Sequence, residues 1–112
     1  MASPRPNSAP PQRRPLSTDP AIRSETSGGK GRYVLSKDGH EAELTVSFTT
    51  PTLMIADHTH VPEALRGTGV AVTLVHFMVY DARARGIKIV PLCPFVNAIR
   101  KKHPEWADVF AT

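Results

Sequence analysis

Three groups of residues have types and spacings that suit chemistry: the stretch Arg66-Gly67-Thr68-Gly69-Val70-Ala71, the single cysteine Cys93, and the histidine pair His58 and His60. Glycines on either side of Thr68 let the backbone turn tightly and bring its N–H groups close to a ligand. If a helix starts there, the unpaired amides of its first turn and the positive end of its dipole favour an anion. Such a stretch is a phosphate cradle in outline. Arg66 could hold phosphate by charge or stand solvated, so the amides are the stronger expectation. Cys93 is followed by Pro94, which suits the first position of a helix. A thiol at a helix N-terminus is in a setting that favours the reactive thiolate, whereas a cysteine acting as a small buried hydrophobe does no chemistry. Both readings stand. His58 and His60, two apart on an extended segment, point to one face. No Cys-x-x-Cys or third histidine sits at ligand spacing, so no metal site is expected. His58 could act as a base or orient a substrate by hydrogen bonding; a histidine satisfied by backbone at a strand end is the competing reading.

The elements that must position these groups follow from periodicity. Arg32–Ser36 reads as a short strand, and Lys37-Asp38-Gly39-His40 carries the Asp-Gly pair of a tight hairpin turn. Glu41–Phe48 alternates, with Ala42, Leu44, Val46 and Phe48 on one face, as a half-buried antiparallel strand does. Thr52–Val61 reads as a third strand, closed by Pro62. From Val70 to Arg85 the pattern is helical: Thr73, His76, Tyr80 and Arg83 form a polar stripe, and apolar residues cover most of the rest. Arg83 and Arg85 followed by Gly86 make a conventional C-terminal stop. Ile87–Val90 is a fourth strand, so strand, helix and strand form a βαβ unit with parallel neighbours. The glycine stretch then lies beyond the carboxyl ends of the strands, where open α/β sheets bind ligands. Phe95–Lys102 continues from Pro94 as a second helix, with Pro104 beyond it.

Composition bounds the rest. Six of the eleven prolines fall within the first twenty residues, which otherwise hold mainly Ser, Ala, Arg and Asn. Residues 1–30 are therefore expected to be a disordered Pro/Arg/Ser-rich arm hinged at Gly28-Gly29-Lys30-Gly31, with one small domain over 31–112. Of the net charge of +4, the arm carries five cations against two anions, and the remainder nine against eight. A nearly neutral domain argues against specific nucleic-acid binding; the arm is a solubilising tail that could touch polyanions weakly. One cysteine excludes an intrachain disulfide framework and suits a reducing compartment. No apolar run reaches the length of a membrane span, so a cytoplasmic protein that does not engage membranes is expected.

Taken together, Arg66-x-x-Gly69-x-Ala71 at the head of a helix resembles the signature of the GNAT superfamily of acyl-CoA-dependent N-acyltransferases. The fuller set His58-Thr59-x-Val61-Pro62, Arg66-Gly67-x-Gly69-Val70-Ala71, Ala82-Arg83, Pro91-x-Cys93 and His103-Pro104-Glu105 resembles its small, roughly hundred-residue acetyltransferase-domain family over residues 32–110. The resemblance implies an α/β fold of minimal GNAT type: a mixed, mostly antiparallel sheet with a parallel βαβ unit and two helices. It also implies that two parallel strands splay to admit the pantetheine arm of acetyl-CoA, the cosubstrate. By the same resemblance the pyrophosphate lies on the amides of Arg66, Gly67, Thr68, Gly69, Val70 and Ala71, and the pantetheine lies along the strand ending at Val61. The acetyl group is placed near Cys93, a catalytic candidate; His58 is the second catalytic candidate, on its own chemistry as a base or orienting group. Thiolate attack to form an acyl-enzyme and direct attack by the acceptor amine are both open. The acceptor, a small molecule or a protein lysine, is not specified. The larger enzymes' N-terminal helices, which wall the acceptor site, have no room here. A CoA-binding sensor or interaction module without transferase activity is the alternative function.

Three further features are expected to be structural. His76 falls on the exposed stripe of the first helix and His40 in a turn, so neither is assigned a role. The run Arg100-Lys101-Lys102-His103 reads as a solvated helix end that could reach the adenosine phosphates. Trp106 and Phe110 either complete the core or, if exposed, provide a homodimer contact.

Overall fold

The computed structural model describes residues 21–111. Five strands lie side by side in sequence order: β1 (Ala21–Ser27), β2 (Lys30–Lys37), β3 (His40–Thr50), β4 (Leu53–His60) and β5 (Lys88–Val90). The first four pair antiparallel, and β5 pairs parallel to β4. Between β4 and β5 run a single 3-10 turn (Glu63–Leu65) and helix α1 (Val70–Arg85); helix α2 (Pro94–Arg100) and a second 3-10 turn (Pro104–Trp106) follow β5. This is the mixed α/β sheet with a βαβ unit and two helices that the sequence leads one to expect.

One strand is new. Residues 21–27, assigned by composition to the arm, form β1, and Gly28-Gly29 is the turn of the β1–β2 hairpin rather than a hinge. The segment holds little apolar surface of its own. It is held by seven rungs to β2, with a smaller contribution from exposed ion pairs: Arg23 meets Glu25 on its own strand (2.6 Å) and Glu41 (3.1 Å), and Arg32 meets Glu25 (2.7 Å) and Glu43 (2.6 Å). The two guanidiniums hold the Glu25 carboxyl below its ordinary range, through hydrogen bonds from Arg23 first and Arg32 second. The remainder of the expected arm, residues 1–20, lies outside the described residues.

Alternation along β3 sorts the two faces as expected. Ala42, Leu44 and Val46 are buried on the inner face with Tyr33 and Leu35 of β2. Helix α1 lies on this face through Leu74, Val75, Met78 and Ala82, and α2 packs beside it through Val96 and Ile99. Tyr33 ties the layers together: its ring meets Phe77 edge-on, and its hydroxyl donates to Asp81 at 2.8 Å. Burial, and then the Asp81 carboxylate, push the Tyr33 phenol well above its usual range.

Trp106 and Phe110 are buried within the chain, which favours core completion over an exposed dimer contact. Phe110 makes a parallel bridge to Ile89 and so covers the free edge of β5. His76 departs from the expected exposed stripe. It is half-buried and packs edge-on against the stacked rings of His103 and Trp106.

Candidate active site

The glycine stretch folds as an open anion cradle. Gly67 and Gly69 both adopt left-handed backbone, with φ of 79° and 83°, and the space a Cβ would enter at either position is empty within 4 Å. Gly69 is the N-cap of α1, and its carbonyl accepts the first helical bond, from Thr73 N–H at 3.0 Å. Arg66 N–H donates back to Glu63 (3.1 Å) and Thr68 N–H to Leu65 (3.3 Å). Among the described residues, the N–H groups of Gly67, Gly69, Val70, Ala71 and Val72 have no protein acceptor. These amides, with the α1 dipole behind them, are what an anionic phosphate needs.

The free set differs from the expected one. The Arg66 and Thr68 amides are committed inward, and Val72 is added because a helix leaves its first turn of amides unpaired. The Arg66 side chain stays exposed and folds back along the chain: its Nε donates to the Val61 carbonyl at 3.3 Å, pinning the cradle to the end of β4. Above the amides is a cavity of about 240 Å³ bounded by Val61, Leu65 and Phe95. Its size and apolar rim suit a diphosphate that leads into a slender chain, so the residues present fit the pyrophosphate and upper pantetheine of CoA.

The gap next to the cradle comes from the pairing of β4 and β5. Their ladder has three rungs, Leu53–Lys88, Met54–Ile89 and Ile55–Val90, and one further bond, from Cys93 N–H to the Ala56 carbonyl at 2.8 Å. Beyond Ala56, β4 continues to His60 with no strand beside it on that edge among the described residues. The backbone groups of residues 57–60 that point away from β3 are thus open to an extended ligand.

A bulge decides which side chains flank this gap. Val46 pairs with Ala56 and Thr45 with His58, so Asp57 is an extra residue in β4. An added residue breaks strict alternation. Asp57 and His58 both face outward, away from the helices: Ser47 Oγ donates to Asp57 Oδ2 at 2.5 Å, and His58 is opposite the outward-facing Thr45. Thr59 then faces inward opposite Leu44, and its hydroxyl is 3.4 Å from Cys93 Sγ.

Cys93 is the N-cap residue of α2, followed by Pro94 at the first helical position. Its thiol makes no bond to the helix amides; it is 4% exposed and turned to Thr59. His58 is exposed on the opposite face with His60. The structure therefore brings Val61 and the glycine stretch together at one cavity and sets Cys93 and His58 on opposite sides of the β4–β5 gap. No hydrogen bond joins these two. Sequence reasoning missed Thr59, Asp57 and the Val72 amide. Of these, only Val72 left a local signal, because the amide count of a helix start includes it.

Among the described residues, no group of three or more His, Cys, Asp or Glu could hold a metal ion, and no helix is long and apolar enough to cross a membrane.

A family model described as GCN5-related N-acetyl-transferase matches residues 32–109. This chain belongs to that family. The membership makes it an N-acyltransferase domain, and acetyl-CoA is the cosubstrate the family implies. Among solved structures, the NMR solution structure of a GCN5-like candidate N-acetyltransferase from Staphylococcus aureus is similar. Its TM-score is 0.59 at 27% identity, over 80% of this chain and 87% of that one. A comparison with curated proteins gives no match.

Proposed function

We propose that this GCN5-related domain transfers the acetyl group of acetyl-CoA to a primary amine that approaches from the outer face of the sheet. The observation that carries the reading is the run of amides at Gly67, Gly69, Val70, Ala71 and Val72 that have no protein acceptor among the described residues, beside a cavity bounded by Val61, the residue that follows β4. In this reading the CoA diphosphate rests on those amides. Its pantetheine follows β4 past Val61 toward Ala56, where the closed ladder stops it. The thioester then lies between Thr59 and Cys93 on the inner side and Asp57 and His58 on the outer side.

From this arrangement the chemistry follows by direct attack. The amine nitrogen adds to the acetyl carbon, the new C–N bond forms as the C–S bond breaks, and CoA leaves as a thiolate. The proton given up by the amine passes to the His58 imidazole, an exposed group able to return it to solvent. Cys93 walls the acetyl end. An acyl-enzyme on Cys93 has less support, because its thiol is almost fully covered and has no imidazole bonded to it.

Calorimetry with CoA and with acetyl-CoA tests the cradle, and release of free thiol from acetyl-CoA over a panel of amines tests the transfer. Binding without amine-dependent thiol release would leave a CoA-binding module in place of the enzyme.

A further inference from the structure

The acceptor side of the gap carries a feature that the cradle does not explain. On the outer face lies a concavity of about 630 Å³ whose lining includes Glu25, Lys30, Arg32, Thr45 and Asp57. Its formal charges balance, two of each sign, but they are not equally engaged. Glu25 and Arg32 neutralise each other within the ion-pair lattice that also takes in Arg23 and Glu43. Lys30 and Asp57 are in no ion pair among the described residues. A single hydroxyl stands between them: Lys30 Nζ donates to Ser47 Oγ at 2.9 Å, and Ser47 Oγ donates to Asp57 Oδ2. Three adjacent strands supply this chain, since Lys30 of β2 is opposite Ser47 of β3 and Asp57 is the bulged residue of β4.

We infer that this concavity is the acceptor site and that it takes a free α-amino acid. The inference rests on the acetyl-transfer reading for its chemistry and on the outer-face charges for its specificity. A cation and an anion one hydroxyl apart match a ligand whose carboxylate and amine are one carbon apart, with the carboxylate toward Lys30 and the amine toward Asp57. A simple amine would leave Lys30 unmatched, and a simple carboxylate would leave Asp57 unmatched. Placement favours transfer as well. Asp57 follows Ala56, the last residue of β4 bonded to the Cys93 side, so an amine held by Asp57 stands where the gap opens. The ammonium held by Asp57 first loses one proton to solvent at this open concavity, which frees the lone pair; His58, next in the chain and on the same face, is placed to take the second proton as the C–N bond forms, the C–S bond breaks and CoA thiolate departs.

The test uses the full chain labelled with ¹⁵N, titrated separately with L-alanine, ethylamine and propionate, which present both charges, the amine alone and the carboxylate alone. Alanine is expected to shift amides around Lys30, Ser47 and Asp57 and to bind at least about tenfold more tightly than either single-charge probe, about 1.4 kcal/mol. The K30M variant, which removes the proposed carboxylate partner at an exposed position, should bind alanine no better than ethylamine. Its CoA titration should be unchanged. Equal binding of alanine and ethylamine, shifts confined to other surfaces, or a K30M variant that keeps the preference for alanine would each overturn the assignment. Because these titrations contain no acetyl-CoA, loss of the cradle reading would appear separately, as absent CoA shifts with alanine binding intact.

Discussion

Replacing Gly69 with alanine separates the two jobs that this residue performs. Its φ of 83° lies in left-handed backbone, where a side chain costs about 1–2 kcal/mol. No atom lies within 4 Å of the Cβ that would be added, so backbone strain is the whole folding penalty. A domain of ordinary stability, about 5–15 kcal/mol, survives that loss, with a fall in Tm of about 4–8 °C per kcal/mol for a chain of this size. Binding should suffer more. The new methyl enters the open space at the cradle that the phosphate needs and is expected to displace it from the neighbouring amides, and each hydrogen bond to a charged group contributes about 1.5–3 kcal/mol. Losing two such bonds lowers CoA affinity by at least about 100-fold. Gly86 supplies the control at the other end of α1: it also has left-handed backbone (φ 68°) and open space, and it is remote from the cradle. Calorimetry should find Gly69→Ala defective in CoA binding and Gly86→Ala normal, with similar losses of Tm. Folded Gly69→Ala that binds CoA like the unaltered protein, or equal loss of affinity in both variants, would refute a phosphate site at Gly69.

Other outcomes follow from the same geometry. Replacing His58 with glutamine should lower acetyl transfer about 10²–10⁴-fold at neutral pH without changing acetyl-CoA affinity, as steady-state kinetics and calorimetry would report. Cys93→Ala should retain most of the activity, and intact mass after incubation with acetyl-CoA should show no acetyl adduct on the unaltered chain; a stable adduct lost in the variant would restore the acyl-enzyme. The raised phenol of Tyr33 gives stability that is complete below the ordinary tyrosine value near 10 and is lost as pH rises above it, since the unfolded chain releases that proton first. Urea unfolding between pH 9 and 11 should therefore show a steeper decline for the native sequence than for Tyr33→Phe.

Much of this was legible in the chain because local physics decided it. Gly69 and Gly86 bracket α1 at both ends, and alternation from Ala42 to Val46 sorts the faces of β3. What escaped depends on distant partners. Residues 21–27 carry few apolar side chains, and their strand exists through rungs to β2 and the ion pairs of Arg23 and Glu25. The bulge at Asp57 is a mismatch between β3 and β4, so no pattern within β4 announces it; yet it places Asp57 and His58 on one face and Thr59 on the other. His76 read as exposed because the His103–Trp106 stack that covers it comes from a later turn.

Phosphate binding by the cradle is tested at the atoms concerned by titrating the ¹⁵N-labelled chain with CoA while following backbone amides. The largest shifts should fall on Gly67, Gly69, Val70, Ala71 and Val72, with smaller ones along residues 57–60 at the open edge of β4. A titration that leaves those five amides unmoved, or that moves only residues elsewhere on the sheet, would contradict it.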